Sequence, residues 1–104
     1  ALVQSGEKEA VAKQERLLDS VAEVLQKGSP QARFFSLAVL GELAFFHPLR
    51  SAAITTHAKV RTGVVAVLRD GRGVEGEAAK VVRNCSANSE KLAGEWAREK
   101  GLLK

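Results

Sequence analysis

The sequence predicts an all-α protein, and its composition and an internal repeat carry this prediction. The chain has 104 residues, of which 45% are hydrophobic and 27% charged, as is typical of one folded domain. Good helix formers (Ala, Leu, Glu, Lys and Arg) are abundant, whereas the sequence has two prolines and no tyrosine. Apolar residues also recur at helical spacing in successive segments of similar pattern.

The first repeated segment has the apolar stripe of an amphipathic helix followed by a glycine. Its apolar residues follow the spacing i, i+4, i+7 and i+8, and each reappears 43 positions later. The two sets are Leu17, Val21, Val24, Leu25 and Gly28, then Val60, Val64, Val67, Leu68 and Gly71. We expect both glycines to end their helices in a left-handed C-cap.

Two further segments repeat in the same order, now 42 positions apart. In the first, Leu37, Leu40, Leu43 and Ala44 correspond to Ala79, Val82, Cys85 and Ser86. In the second, Ile54 corresponds to Trp96 and Val60 to Leu102. The one-residue change falls in the loop after the glycine, where length changes cost little. The second copy therefore predicts helices near 59–70, 74–87 and 89–100.

Helix-capping residues stand at several of the predicted boundaries. Pro48 is placed as a first helical residue, and His47, directly before it, is expected to start the same helix. Asn88 or Ser89 is expected to be the N-cap of the third helix of the second copy, and Ser5 an N-cap ahead of Glu7.

The repeated segments resemble the armadillo repeats and, more loosely, the HEAT repeats. The stretch GVVAVLRDGRGVEGEAAKVVRNCSANSEKLAGEWAREKGLL is similar to the armadillo pattern of a second helix, a glycine turn, a third helix ending in Arg-Asn-apolar-Ser, and a first helix leading to glycine and an apolar pair. The resemblance implies a right-handed superhelical α-solenoid fragment of three-helix repeats. Residues 17–58 and 59–100 would each form one repeat, 1–16 a remnant of a preceding repeat or an N-terminal helix, and 101–104 the start of another.

The resemblance also implies a partner-binding concave surface on the armadillo third helix, which here is the helix near 74–87 and its counterpart in the first copy. Asn84 corresponds to the asparagine with which many armadillo proteins bind the backbone of an extended peptide, and an amide suits this role because it both donates and accepts. At the positions of Lys80 and Ala38, the armadillo proteins of nuclear import have tryptophan. Because these tryptophans are missing here, the resemblance does not support recognition of a basic localisation signal. The candidate residues are Phe35, Ala38, Glu42, Glu77, Lys80 and Asn84; solvated helix positions are the alternative interpretation.

Basic residues are concentrated in the second half of the chain. Residues 1–52 carry six basic and six acidic side chains, and residues 53–104 carry ten and six. The candidate basic patch comprises Lys59, Arg61, Arg69, Arg72, Lys80 and Arg83. Acidic residues interrupt it and no aromatic residues are interleaved with it, so solvated charge is favoured over an acidic protein surface, and both over nucleic acid.

The other motifs have structural interpretations that we favour. GRGVEG at residues 71–76 matches the dinucleotide-binding pattern, but no strand runs directly into its first glycine. His47 and His57 lack the companion ligands that zinc needs. Cys85 and Trp96 occupy inward positions of the repeat, so we expect both to be buried.

These observations predict a non-catalytic protein-interaction or scaffold module. No nucleophile, metal or cofactor motif is present in the sequence, so we expect neither a cofactor nor a small-molecule substrate. The most apolar window, Phe34 to Phe46, is too short for the roughly 20 residues of a membrane span, and the single Cys85 fits a reducing compartment. We expect a cytoplasmic chain, with nuclear or ciliary and cytoskeletal association as further options. The alternative is a basic helical module that docks on a polyanion, either nucleic acid or an acidic filament surface.

Overall fold

The structure is a computed structural model that describes residues 2–70 and 73–99, with side chains described for residues 12–70 and 73–99. These residues form six helices and no strand. The helices are α1 (Leu2–Lys27), α2 (Pro30–Ala44), α3 (Pro48–Thr56), α4 (Ala58–Asp70), α5 (Glu75–Ser86) and α6 (Glu90–Arg98). The all-α prediction is confirmed. No helix among the described residues combines the length and apolarity needed to cross a bilayer.

Polar side chains stand at the starts of several helices. Ser29 and Ser89 accept hydrogen bonds from the amides of Ala32 and Leu92, which satisfies donors that the first helical turn leaves unpaired. His47 does the same for α3 with Nδ1, and Pro48 follows it as the first helical residue, as the sequence predicts. The N-cap of α6 is thus Ser89.

Two of the predicted helix ends are wrong. α1 begins at Leu2 and includes Ser5, so Ser5 is not an N-cap. Gly28 does not have a positive φ, because Ser29 is extended and starts the next helix at once. Gly71 lies outside the described residues. Among the described residues, the glycine with a positive φ is Gly73, at 101°.

Each of the first three helices packs against the helix three places later in the chain. α1 contacts α4, α2 contacts α5, and α3 contacts α6. Asn84 bonds to Gly41 and Asn88 to Ala44, so positions along α2 and α5 advance together and the two helices run parallel. We call α1 to α3 the first unit and α4 to α6 the second unit. α1 is continuous through the boundary expected between residues 16 and 17.

The two units bury different faces of equivalent helices. α2 buries what we call the forward face, formed by Leu37, Leu40, Gly41 and Ala44. α5 buries the backward face, formed by Ala78, Val81 and Cys85. The forward-face equivalents on α5 are exposed or half-buried: Ala79, Val82, Arg83 and Ser86. The backward-face equivalents on α2 are also open: Ser36, Val39 and Leu43. Repeat positions of matching sequence therefore differ in burial.

One apolar core joins the two units. It includes residues from α1, α2, α4 and α5 together with Ile54 of α3 and Trp96 of α6. Gly63 allows α4 to approach α1 closely, since a Cβ built there would lie 2.9 Å from Cβ of Leu25. A side chain at position 63 would therefore push α1 and α4 apart.

Candidate functional site

The six residues expected on a concave surface lie on the neighbouring helices α2 and α5. Phe35 is 71% exposed, and Glu42 and Lys80 are also exposed. Ala38, Glu77 and Asn84 are half-buried. Because α2 and α5 pack side by side, these residues belong to one pair of helices.

Lys80 and Asn84 converge on Gly41 of α2. A Cβ built at Gly41 would lie 3.4 Å from Cδ of Lys80 and 3.9 Å from Nδ2 of Asn84. The stem of Lys80 therefore covers the backbone of α2, which leaves its ammonium group as the part that can meet a partner.

The side-chain amide of Asn84 already has a partner within the chain. Its Nδ2 donates a hydrogen bond to the carbonyl oxygen of Gly41 at 2.9 Å. The reverse orientation would place two oxygens against each other, so the contact fixes which way the amide points. One of the two Nδ2 hydrogens is therefore used within the chain, and Oδ1 and the second N–H remain for an extended peptide. Asn84 consequently holds the two units together, whatever else it binds.

A second amide, that of Asn88, lies at the same boundary, although its place in the sequence indicated only a possible helix cap. Nδ2 of Asn88 lies 2.7 Å from Oγ of Ser51, 3.1 Å from the carbonyl of Ala44 and 2.9 Å from that of Asn84. Ser51 is fully buried and donates to the carbonyl of Ala44. The network therefore satisfies the end of α2, whose last carbonyls have no partner within the helix.

Trp96 and Cys85 are both buried, as expected. Nε1 of Trp96 donates to Oγ1 of the buried Thr55 at 2.8 Å. Burial raises the pKa of Cys85 to about 11, although hydrogen bonds with Thr55 and Ser51 act in the opposite direction. The thiol is therefore protonated at neutral pH, which disfavours a nucleophilic role. In the sequence, this site is marked by Ser51 and Thr55, which lie one helical turn apart. The equivalent positions in the second unit are alanines.

The predicted basic patch is only partly assembled. Nε of Arg61 lies 2.6 Å from Oε1 of Glu99, and its Nη1 donates to the carbonyl of Thr55, so Arg61 is a half-buried structural residue. Arg69 pairs with the adjacent Asp70. The remaining members fall into two groups: Lys59, Lys80 and Arg83 are exposed, and Arg72 lies outside the described residues. This distribution favours solvated charge over a dedicated polyanion site.

Both histidines act at helix starts. Nδ1 of His57 accepts from the amide of Val60 at 3.2 Å, as His47 does for α3. Nε2 of His57 also lies 2.7 Å from Oδ1 of Asp19. The described residues contain no group of three or more His, Cys, Asp or Glu side chains that could hold a metal ion. The histidines therefore have structural contacts that account for their positions.

The described part of the GRGVEG segment forms a helix start. The amide of Gly73 donates to the carboxylate of Glu75 at 2.8 Å, and Glu75 opens α5. A dinucleotide site would need a strand before this turn, and the preceding element is helix α4. This geometry does not match a dinucleotide site.

Large apolar side chains are exposed on the first unit, and a groove opens beside some of them. They are Leu17, Phe34, Phe35, Val39, Phe45, Phe46 and Leu49. The groove has a volume of about 240 Å³ and is lined in part by Leu17, Leu43 and Ile54. Leu17 is exposed and Leu43 half-buried, whereas their equivalents in the second unit, Val60 and Cys85, are completely buried. Ile54 is buried, as is its equivalent Trp96. The groove thus lies on a face of the first unit. The corresponding face of the second unit is covered by the first unit.

Comparison of the chain with protein-family models, with curated proteins and with solved structures found no match.

Proposed function

We propose that the chain forms two repeats of an armadillo-type right-handed superhelical solenoid and serves as a non-catalytic protein-interaction scaffold. The observation that carries this proposal is the burial of the backward face on α5 and the forward face on α2. A stack of repeats that grows in one direction has this property, because each internal repeat covers one neighbour and is covered by the other.

Equivalent contacts within the two units support the repeat interpretation. His57 follows α3 and contacts Asp19 of α1 in the first unit. At the corresponding place in the second unit, Oε2 of Glu99 lies 3.4 Å from Oγ1 of Thr62. The side chains differ, but each links the end of the unit's third helix to its first helix. Two copies of one three-helix design account for this agreement.

The binding surface in this proposal runs over α2 and α5. Phe35 offers an exposed aromatic ring, Glu42 a carboxylate and Lys80 an ammonium group whose stem is held against Gly41. An aromatic anchor flanked by charges of both signs is suited to a protein segment, and aromatic residues are enriched among those that dominate binding energy. No reacting group is required, and the buried, protonated Cys85 fits a scaffold of the reducing cytoplasm.

A matched pair of double variants tests the surface. Phe35→Ser with Lys80→Glu should weaken capture of protein from cell extract by about tenfold or more, because it removes the anchor and reverses a charge. Phe45→Ser with Lys91→Glu makes the same changes at exposed positions outside α2 and α5 and should retain capture. Asn84 is left unchanged because its amide bonds to α2.

Salt concentration separates the scaffold from the polyanion alternative. A discrete protein that both the wild type and the Phe45/Lys91 variant retain at high salt, and that the Phe35/Lys80 variant loses, supports the proposal. Retention of nucleic acid alone, lost steeply as salt rises, would overturn it in favour of the basic module. Equal capture by the two double variants would remove the α2 and α5 surface from consideration.

A further inference from the structure

We infer that His47 makes the start of α3, and with it the contact between the two units, sensitive to acid. A proton on Nδ1 of His47 would remove the acceptor with which this side chain starts the helix, whereas His57, at the other end of α3, has a compensating contact with Asp19. This acid-sensitive contact is independent of whether the surface on α2 and α5 binds a partner.

The hydrogen bond at the start of α3 fixes the protonation state of His47. Its Nδ1 lies 3.1 Å from the backbone nitrogen of Arg50, and a backbone N–H can only donate. Nδ1 must therefore carry a free lone pair and no proton. The charged imidazole has an N–H at both positions, so it would place one donor against another. The folded chain thus holds His47 in its neutral form.

The position of His47 at a helix start also disfavours a charged ring. The first amides of α3 have no partner within the helix and concentrate positive partial charge at its N-terminus. A histidine cation at this end adds a like charge. The ring is half-buried, so protons from solvent can still reach it.

The charged groups around α3 offer His47 no compensation. Within residues 12–70 and 73–99, no carboxylate forms an ion pair with it. Two cations, Lys13 of α1 and Arg50, line the groove beside α3. Arg69 and Asp70 of α4 pair with each other. The charged residues at the adjoining ends of the other packed helices are exposed: Glu42 on α2, Arg83 on α5, and Glu90 and Lys91 on α6.

His57 differs because a carboxylate faces its second nitrogen. Its Nδ1 accepts from the amide of Val60 at 3.2 Å, so this nitrogen too is unprotonated. Its Nε2 lies 2.7 Å from Oδ1 of Asp19, and this contact becomes an ion pair when the ring is charged. The gain opposes the loss of the cap. On α4, Lys59 is exposed and Arg61 pairs with Glu99. Acid therefore acts mainly at His47.

The second unit has a cap of the same geometry that does not titrate. The equivalent of His47, 42 positions later, is Ser89, whose Oγ accepts from the amide of Leu92 at 3.0 Å. Ser29 caps α2 in the same way. A hydroxyl does not change its charge near neutral pH, whereas histidine does. Among these side-chain caps, the titratable ones stand at the two ends of α3.

Loss of the His47 cap would act on the contact between the units. Ser51 follows one turn later, and its amide donates to the carbonyl of His47. The Ser51 hydroxyl lies 2.7 Å from Nδ2 of Asn88 and donates to the carbonyl of Ala44. Fraying of the first turn of α3 would therefore displace the residue through which α3 meets Asn88. We expect acid to loosen this contact before it unfolds the helices.

The direction of the pH dependence follows from the neutral ring. The unfolded chain can bind a proton at His47 without loss, whereas the folded chain must give up a cap to do so. The stability contributed by the cap is therefore present at about pH 7.5 and is lost as the pH falls toward about 5, the range in which histidine becomes charged.

His47→Ser, which copies the cap of the second unit, tests the inference. Urea unfolding at about pH 7.5 and about pH 5 gives the decline in the folding equilibrium constant of each chain. The wild type should decline about threefold to tenfold more than the variant, which is the loss expected for one N-cap. A constant difference in stability between the chains cancels in this comparison. Equal declines would overturn the inference.

Substitutions at the other end of α3 are the matched controls. His57→Ser should decline within about twofold of the wild type, because cap and ion pair offset each other there. Asp19→Asn keeps an acceptor for Nε2 but removes the charge, so its decline should be about threefold steeper or more. If His57→Ser flattens the decline and His47→Ser does not, the assignment to His47 is wrong.

Two residue-level measurements show whether the effect is local. Nitrogen NMR of the folded chain at about pH 7.5 should find the proton of His47 on Nε2, and a proton on Nδ1 would contradict the geometry. Hydrogen exchange, corrected for the intrinsic effect of pH, should show the amide of Arg50 losing protection several-fold in acid while that of Leu92 keeps it. Equal losses would indicate general acid destabilisation and overturn the inference. None of these measurements involves a partner, so their failure leaves the capture experiment of the proposed function unaffected.

Discussion

Nε1 of Trp96 donates a hydrogen bond to Oγ1 of Thr55 at 2.8 Å, and both side chains are buried. The bond joins α6 to α3, which are third helices of successive units. It satisfies the polar atom of the largest fully buried side chain, so the core can include an indole without leaving its N–H unpaired.

Removing the hydroxyl of Thr55 should destabilise the chain. Thr55→Val keeps the shape of the side chain but leaves the buried indole N–H without an acceptor, at a cost of about 1–3 kcal/mol in the free energy of unfolding. Thr56→Val is the control, because the Thr56 hydroxyl is exposed and bonds to the carbonyl of Ala52 in its own helix. Urea unfolding compares the variants; equal losses would indicate that the contact with Trp96 adds no stability.

A methyl group at Gly63 should separate α1 from α4. Gly63→Ala places Cβ 2.9 Å from Cβ of Leu25, which cannot rotate away, and should cost about 1–3 kcal/mol. Gly94→Ala adds the same methyl group to α6 where the nearest atom is 3.7 Å away, and should stabilise the chain by about 0.5–1 kcal/mol through helix propensity. Thermal unfolding should move the two variants in opposite directions. A stable Gly63→Ala chain would mean that the helices separate easily.

The left-handed backbone of Phe46 should make a glycine favourable there. Phe46 has φ of 49°, which is costly for a residue with a Cβ. The residue is 83% exposed, and its ring lies 4.4 Å from that of Phe45 between centroids. Phe46→Gly should therefore stabilise the single chain by up to about 1 kcal/mol. Phe45→Gly, at φ of −62°, gains no such relief and should destabilise it. Calorimetry measures the stability of both variants; a loss of stability in Phe46→Gly would contradict this expectation.

The Cys85 thiol should resist modification in the folded chain. Burial raises its pKa from 9.0 to about 11, so at pH 8 the group is both inaccessible and protonated. Iodoacetamide should therefore modify it only after denaturation, as read by mass spectrometry. Rapid modification of the folded chain would indicate that the two units separate frequently.

The same shift gives stability a pH dependence. Between about pH 9 and pH 11 the unfolded chain ionises Cys85 while the folded chain keeps the proton, so the contribution of this group to stability falls as pH rises. Below the unfolded pKa both states are protonated and the contribution is constant. Cys85→Ala should remove this part of the alkaline decline in urea midpoint; an unchanged decline would assign it to other groups.

Local sequence patterns predicted the helices well. Helices expected near 59–70, 74–87 and 89–100 are Ala58–Asp70, Glu75–Ser86 and Glu90–Arg98. Pro48, His47 and Ser89 stand at the starts of their helices, as the sequence predicted. N-capping can be predicted because it involves residues within one helical turn. Gly28 did not adopt the predicted left-handed conformation, since an extended Ser29 turns the chain directly into α2.

The candidate site was predicted less completely. The sequence placed Lys80 and Asn84 on one helix, but it could not assign the amide of Asn84 to the carbonyl of Gly41, 43 residues earlier. It also treated Asn88 only as a possible cap and Arg61 only as part of a basic patch. Both make contacts more than 30 residues away in sequence, with Ser51 and Glu99.

The sequence by itself determined the helical class and the approximate positions of α4, α5 and α6. These follow from apolar periodicity and capping, which act over a few residues. Only the tertiary structure decided which of two equivalent residues is buried, such as Val81 rather than Val39. The reason is that α5 is covered by α2 on its backward face, whereas the described residues contain no helix that covers the same face of α2.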